Sequence, residues 1–252
     1  MNVKLVIAYD GGDFFGWQKT SAKPTVEETL QDCLERLLQH PVILQAASRT
    51  DRGVHATGQV VNFFTDKPLD HLDFRLNRLL PSSLQVRSME QMPDIFHPTL
   101  DNHGKIYTYA LQTTAVSPLE RHRIWHFPYS IDMKMMQTAA RKLIGTHDFA
   151  AFTNVSPSKP RNTVRTIYSI DIEETNQNRY QFTICGKEFL YKMVRNLCGT
   201  LAYIGCGKLP ARAIDKLLKH GDRTQAGATA PACGLILKEV LYTDPGTRLS
   251  NC

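Results

Sequence analysis

A single carboxylate stands among cations in the segment SRTDRGVHATGQVVNFF, which begins at Ser48. Asp51 is flanked by Arg49 and Arg52, and neighbouring positive charges favour the ionised form of a carboxylate. An ionised aspartate is suited to act as a nucleophile or as a general base. A run of β-branched and aromatic residues follows, so a strand should hold the loop in place. The pattern therefore predicts a catalytic aspartate at position 51.

The same loop is compatible with several different roles. Asp51 could be a turn-forming acid that stabilises the loop through Arg49. His55 and the serine that opens the loop suggest a nucleophile triad, but no oxyanion-forming motif accompanies them. Hydrolysis of a glycosidic bond usually requires two carboxylates, and no second acid is close in sequence. Gly53 and Gly58 favour ligand binding, because we expect them to let a ligand come close to the backbone.

Aromatic and basic residues elsewhere point to a nucleic acid. Tyr107 and Tyr109 lie in the sequence IYTY, where a strand would direct both rings to the same side. Either ring could stack on a base, and both could instead pack in the core. Basic residues form three clusters: Lys192 with Arg195 on one face of a predicted helix, Lys159 with Arg161 and Arg165, and Arg121 with Arg123. Such cations and aromatic faces are typical of proteins that bind structured RNA.

The composition is that of an ordinary globular protein with an excess of positive charge. The 252 residues include 30 Lys and Arg against 24 Asp and Glu, a surplus of 6, which favours an anionic partner. Six scattered cysteines and nine histidines show no metal-binding spacing, and a reducing cytoplasm is expected. No apolar run reaches about 18 residues and the N-terminal run has no cleavage signal, so neither a membrane span nor a signal peptide is predicted.

Hydrophobic periodicity predicts an α+β protein with two similar halves. Each half follows the order β-α-β-β-α-β, which favours largely antiparallel sheets with helices on one face. We expect helices at about residues 25–39, 69–80, 132–144, 189–204 and 210–220, and strands at about 3–9, 42–47, 59–64, 84–89, 106–112, 164–172, 180–184 and 235–242. The halves span residues 1–103 and 104–244, with a polar seam at 98–104 and a tail at 245–252. The loop 153–162 should be exposed.

Several motifs along the chain match one family. The most specific is RTDRGVHATGQV, which begins at Arg49. The others are YDG at Tyr9 with GWQ at Gly16, FH at Phe96, the basic-x-Tyr-x-Tyr pattern at Lys105, MVRN at Met193 and GL at Gly234. On these residues the sequence resembles the bacterial tRNA pseudouridine synthase A family from about residue 3 to residue 242.

This resemblance implies a fold, a reaction and a set of site residues. The fold would comprise two RRM-like halves whose sheets join into one central sheet, with the helices outside. The reaction would be isomerisation of uridine to pseudouridine at positions 38–40 in the anticodon arm of tRNA, without metal or organic cofactor, by a homodimer. Asp51 would be the catalytic aspartate and Arg49 its ion-pair partner. The substrate-binding residues would be Tyr107, as the ring stacked on the target base, with Leu235, Arg195, Arg52 and His55.

The sequence departs from the family pattern at three places. Arg52 replaces the small residue that usually follows the aspartate, and it could contact a phosphate or crowd the loop. Pro98 and Thr99 replace the Ala-Arg pair that often follows the Phe-His element, and the basic stretch before Tyr107 is reduced to Lys105. Two further hypotheses stay open: an RNA-binding protein without catalysis, in which Asp51 would repel the phosphates, and an N-glycosidase, which would need a second carboxylate.

Overall fold

The computed structural model describes residues 1–21, 24–154 and 162–244, and the chain divides into two compact units. The first unit comprises Met1–His103 and the chain from Ile236 onward, and the second comprises Gly104–Leu235. The boundary between His103 and Gly104 lies within the polar stretch 98–104. The predictions made for Lys159, for Arg161 and for the tail at 245–252 fall outside the described residues.

The first unit begins with the predicted order of strands and helices. Its elements are β1 (Asn2–Tyr9), α1 (Val26–Leu38), β2 (Gln45–Ala46), β3 (His55–Phe64), α2 (Leu72–Leu79) and β4 (Leu84–Met92), with a 3-10 helix at Gly11–Asp13. Thr25 caps α1, because its hydroxyl accepts a hydrogen bond from the Glu28 N–H at 3.4 Å. Leu30 and Leu34 of this helix are fully buried, as the helical spacing of its apolar residues predicts.

The sheet of the first unit has the strand order β4-β1-β3-β10, with β10 at Leu235–Leu241. The strand β1 pairs antiparallel with β3 and with β4, and the alternate residues Val3, Leu5 and Ile7 are fully buried. The strand β10 pairs parallel with β3, through Ile236 opposite His55. Sequence periodicity assigned β10 to the second half of the chain, but its pairing with β3 makes it part of the first unit from Ile236 onward.

The second unit is also α+β. Its elements are β5 (Gly104–Gln112), β6 (Trp125–His126), α3 (Met133–Arg141), β7 (Gly145–Asp148), β8 (Val164–Asn176), β9 (Arg179–Lys187), α4 (Met193–Gly205) and α5 (Ala213–His220), with 3-10 helices at Ala150–Phe152, Arg223–Gln225 and Ala232–Gly234. The strands follow the order β5-β9-β8-β7 and all pair antiparallel, while the short β6 pairs parallel with β5. The α+β class predicted from the sequence is confirmed.

Several predicted elements are shorter than expected. The strand expected at residues 42–47 is reduced to Gln45–Ala46, and the helix expected from residue 189 begins at Met193. Lys192 precedes that helix with a left-handed φ of 58°, so the prediction that Lys192 and Arg195 share a helix face is wrong. Within the described ranges, no helix is long and apolar enough to cross a membrane.

Candidate active site

The backbone of the aspartate loop is fixed by a tight turn. The Asp51 carbonyl accepts a hydrogen bond from the Val54 N–H at 3.1 Å, which closes a four-residue turn. Gly53 occupies the third position with a φ of +79°, the left-handed conformation that a type II turn requires there. The turn therefore explains why position 53 is a glycine. The strand β3 begins directly after the turn at His55.

Buried groups hold the residue that precedes the aspartate. The Thr50 hydroxyl is hydrogen-bonded to the Tyr9 hydroxyl at 2.7 Å, and the Thr50 carbonyl accepts from the Trp17 N–H at 3.0 Å. Gly16 has a φ of +94°, and a side chain there would lie 3.0 Å from the Thr50 carbonyl oxygen and 3.1 Å from the Arg52 nitrogen. The loop around Gly16 thus packs directly against the backbone on both sides of the aspartate.

Two further contacts join the loop to the sheet. The buried Gln59 side chain donates a hydrogen bond to the Ser48 carbonyl at 2.6 Å, which fixes the start of the loop. A side chain at Gly58 would lie 2.3 Å from the Lys238 carbonyl oxygen. The expectation that Gly58 admits a ligand is therefore wrong, because its open side is filled by the backbone of β10. Close packing of two strands explains this glycine.

The two arginines of the loop, Arg49 and Arg52, are both exposed. The Arg52 guanidinium lies over the Phe15 ring, 4.1 Å from its centroid. Stacking on Phe15 holds Arg52 at the surface, which favours a contact with an external anion over crowding of the loop. The ion pair between Arg49 and Asp51, which the resemblance implies, stays a prediction.

His55 is placed inside the fold at the start of β3. It is 5% exposed, and its Nδ1 accepts a hydrogen bond from the Gly11 N–H at 3.1 Å. The same nitrogen lies 3.1 Å from the Asp10 carboxylate, an ion pair only if the ring is protonated. Both partners belong to the turn after β1. This position favours a role in holding that turn against the aspartate loop, and a substrate contact by His55 stays a prediction.

The paired tyrosines of the second unit are both buried. Tyr107 is 6% exposed and packs edge-on against Phe189, with ring centroids 5.2 Å apart. Tyr109 is 1% exposed, and its hydroxyl donates a hydrogen bond to the Pro231 carbonyl at 2.9 Å. Burial raises the pKa of Tyr109 well above its usual value. Packing in the core, which the sequence left open for both rings, therefore describes Tyr109 and also Tyr107, whose ring packs on Phe189.

Arg195 and Leu235 are both connected with the short segment 230–235: Arg195 contacts its first residue, and Leu235 is its last. The Arg195 Nε donates to the Ala230 carbonyl at 2.8 Å, and the Ala230 N–H donates to the Arg195 carbonyl at 3.2 Å. Leu235 is 6% exposed and follows the 3-10 helix Ala232–Gly234, in which a side chain at Gly234 would lie 2.7 Å from the Tyr109 ring. The segment 230–235 is therefore held against both α4 and β5.

The sequence places Lys105 in the basic-x-Tyr-x-Tyr pattern but does not indicate that its side chain is buried. Lys105, at the second position of β5, is only 9% exposed. Burial lowers the pKa of Lys105 to about 8, against the opposing effect of the Glu188 carboxylate. The signal in the sequence was its spacing, two residues before Tyr107, which places both side chains on the same face of a strand.

The remaining basic residues lie on the surface or near it. Arg121 and Arg123 are exposed, and Arg165 is half-buried with one guanidinium nitrogen donating to the Val164 carbonyl. In residues 1–21, 24–154 and 162–244, no group of three His, Cys, Asp or Glu side chains could hold a metal ion. The described residues offer a carboxylate on a rigid loop, aromatic rings and cations.

This chemistry can be compared with that of known proteins. The model of the tRNA pseudouridine synthase family matches residues 5–99 and 139–243 of the chain. The chain belongs to this family, and it is an isomerase that converts uridine to pseudouridine in tRNA. The family resemblance that the sequence motifs indicate is confirmed.

Individual relatives agree over almost the full chain. The tRNA pseudouridine synthase A 2 of Protochlamydia amoebophila is 49% identical over 246 residues, which are 96% of this chain and 94% of that protein. The tRNA pseudouridine synthase A of Acetivibrio thermocellus is 41% identical and covers 96% of this chain and 99% of its own. That of Lactococcus lactis subsp. cremoris is also 41% identical, with 95% and 96% covered.

Proposed function

We propose that the enzyme modifies uridines 38–40 in the anticodon arm of tRNA and that Asp51 is its catalytic carboxylate. The main support for Asp51 as the catalytic carboxylate is the rigidity of its loop. Its backbone is held by the turn to Val54, by Tyr9 through Thr50, and by the close approach of Gly16. A pre-positioned reactive group lowers the barrier without reorganisation during the reaction.

The reaction needs one carboxylate and no added reactant. The N1–C1′ bond breaks with its electron pair on N1, while Asp51 either bonds to C1′ or removes a proton from C2′. The detached uracil turns, C5 bonds to C1′, and the proton on C5 is finally lost while N1 gains one. Asp51 is regenerated in either route. A second carboxylate, which hydrolysis of a glycosidic bond usually requires, is not needed because no water is activated.

The other site residues would handle the substrate. The target base must leave its stack before it can react, and Tyr107 would then stack on it. Leu235 would line the slot and exclude water, which would otherwise capture the sugar. Arg49 would orient Asp51, and Arg52 would contact a phosphate from the exposed position that Phe15 supports.

The remaining assignments concern the assembly. Arg195 would contribute to the RNA-binding surface from the start of α4, and His55 would support the aspartate loop. A homodimer would let one tRNA contact two copies of the chain. The cytoplasm is the predicted location, in keeping with the reducing compartment that the scattered cysteines of the sequence indicate.

Replacement of Asp51 tests the catalytic assignment. Asp51→Asn keeps the shape of the side chain and removes its charge, so we expect no pseudouridine while tRNA binding is retained. Unmodified tRNA would be incubated with pure protein, and pseudouridine would be mapped by carbodiimide-dependent stops in sequencing. Asp66→Asn is the control, because Asp66 is an exposed loop aspartate of the same unit. Product formation by Asp51→Asn at the wild-type rate would refute the assignment.

The choice of uridine is tested separately. Transcripts that carry a single uridine at position 38, 39 or 40 should each gain pseudouridine, while a transcript with uridine only outside the anticodon arm should not. Modification of the last transcript alone would refute the proposed site on tRNA and leave the role of Asp51 untouched.

A further inference from the structure

Lys105 is buried although nothing described around it neutralises it directly. Its side chain is 9% exposed. Within the described ranges, its ammonium donates no hydrogen bond and forms no ion pair within 4.0 Å, and the Glu188 carboxylate acts on it only from a distance. The Lys105 Nζ is not among the fully enclosed side-chain atoms of the described residues, so it can still be reached from outside. Partial burial of an ammonium that has no direct partner is costly, and proteins rarely retain one without a use for it. The position therefore calls for an anion that the free protein lacks.

The surroundings of Lys105 are flat and aromatic. Lys105 and Tyr107 lie on the same face of β5, two residues apart. The residue opposite Lys105 on β9 is Gly186, and a side chain there would lie 3.0 Å from the Phe189 ring. The ring of Phe189 thus covers the glycine beside Lys105 and contacts the edge of Tyr107. The Lys105 cation therefore lies beside the two aromatic rings of Tyr107 and Phe189.

We propose that the Lys105 ammonium stabilises the anionic uracil ring that exists between cleavage of the N1–C1′ bond and formation of the C5–C1′ bond. This inference rests on the proposed function, in which Tyr107 stacks on the target uracil. The electron pair of the broken bond resides on the uracil, delocalised over N1 and the ring carbonyl oxygens. Lys105 supplies charge only: it neither gains nor loses a proton, and no further reactant is required.

A uracil anion fits this position better than an RNA phosphate does. Phosphates are bound most strongly by several N–H donors or by exposed arginines, whereas one lysine beside two aromatic rings offers one cation and flat apolar surface. A detached uracil is planar and carries a single dispersed charge. The low dielectric of a buried position strengthens attraction between that charge and the ammonium, and the effect arises only once the bond is breaking.

The test separates the chemical step from binding. Lys105→Met removes the charge and keeps much of the length, Lys105→Arg keeps the charge, and Lys187→Met is the control at an exposed lysine of β9. Single-turnover formation of pseudouridine would be measured with enzyme in excess over unmodified tRNA, and Kd by filter binding over a range of salt. We expect Lys105→Met to lower the single-turnover rate about 100-fold, as removal of one group that stabilises developing charge does elsewhere. Kd should change less than about threefold, and Lys105→Arg should be the faster of the two variants.

Several outcomes would overturn the inference. A Lys105→Met rate within threefold of wild type would show that the charge has no part in the chemistry. An unchanged saturating rate with weaker binding and a shallower salt dependence would assign Lys105 to a phosphate. A melting temperature of Lys105→Met below that of wild type would assign Lys105 to packing. Absence of pseudouridine with the wild-type protein would instead contradict the proposed function, so the two failures are distinguishable.

Discussion

Replacement of Lys105 by methionine should make the protein more stable. The wild-type side chain carries its charge into a position that is 9% exposed, where burial lowers the pKa of the ammonium to about 8 from an ordinary 10.5. Methionine has a similar length, no charge and a flexible apolar chain that fills irregular space well. The substitution therefore removes the desolvation cost and adds apolar contact.

The size of the effect follows from the lowered pKa of Lys105. Each pKa unit corresponds to about 1.4 kcal/mol, so a pKa of about 8 implies that the buried charge costs about 3 kcal/mol at pH 7. We expect Lys105→Met to raise the free energy of unfolding by up to about 3 kcal/mol. For a chain of this size, about 1 kcal/mol shifts the melting temperature by roughly 2–4 °C.

The pH dependence has a definite sign. Below pH 8 the ammonium is charged in both folded and unfolded protein, and the full cost is present. Between pH 8 and about 10.5 the lysine is protonated in the unfolded chain but not in the folded protein. The free energy of unfolding of the wild type therefore increases as the pH rises through this range. Above about 10.5 the lysine is neutral in both states. The advantage of Lys105→Met should therefore be greatest at pH 7 and shrink across this window.

Urea denaturation at pH 7, 8, 9 and 10 measures this difference directly, with Lys187→Met as the exposed control that should change little. A Lys105→Met protein that is less stable than wild type at pH 7 would refute the reasoning. So would an advantage of the same size at all four pH values, because it would arise from packing and not from charge.

Further substitutions test the contacts of the aspartate loop. They concern Gly16, Tyr9, Phe15 and the exposed Arg52. Gly16→Ala should lower stability by about 1–3 kcal/mol and slow pseudouridine formation, because φ is +94° and the backbone of Thr50 is 3.0 Å away; thermal melting and single-turnover kinetics would show it, and unchanged values in both would contradict it. Tyr9→Phe should cost about 1 kcal/mol in urea denaturation, since the buried Thr50 hydroxyl loses its partner at 2.7 Å. Arg52→Ala should raise the Kd for tRNA and reduce its salt slope by about 0.7–0.9, and an unchanged slope would leave Arg52 without a phosphate contact. Phe15→Leu should weaken binding by less than Arg52→Ala, because the guanidinium remains but loses its stacking surface.

Local features of the fold could be predicted because local physics decides them. The helix α1 was predicted from its apolar spacing, and the structure ends it at Leu38, one residue before the expected limit. The start of α3 is also decided locally, because the Asp132 carboxylate caps the helix by accepting a hydrogen bond from the Met135 N–H at 3.0 Å. Predicted strands were found in place, although their ends moved by several residues.

Long-range contacts could not be predicted in the same way. The pairing of β10 with β3 joins residues about 180 positions apart, and nothing in the alternation of Leu235–Leu241 specifies that neighbour. The role of Gly58 depends on this pairing, because its missing side chain is what lets the Lys238 carbonyl approach. A glycine in a loop motif suggests ligand access, and only the register of the strands shows that another strand occupies the space.

The same limit applies to the candidate site. Asp51 could be singled out from its flanking cations, since charge and turn-forming residues are visible in one short segment. The burial of Lys105 could not, because it depends on Gly186 lying opposite on β9 and on Phe189 covering that glycine. A lysine near the start of a strand is ordinary in any sequence. Lys105 becomes unusual only in the folded structure, where Gly186 on β9 lies opposite it and the Phe189 ring covers that glycine.

The anchors of the Asp51 loop and the buried Lys105 therefore differ in what they cost the stability of the folded protein. In the first, the anchors of the Asp51 loop described above are satisfied hydrogen bonds or close backbone contacts, so the loop adds rigidity and little strain beyond the turn. In the second, Lys105 is desolvated without a direct partner among the described residues, and the folded protein is less stable for it. If Lys105 had only a structural role, an apolar residue could take its place without loss. Retention of the charge is explained if the anion that compensates it is formed only during the reaction, and this is why the activity and the stability of Lys105→Met should change in opposite directions.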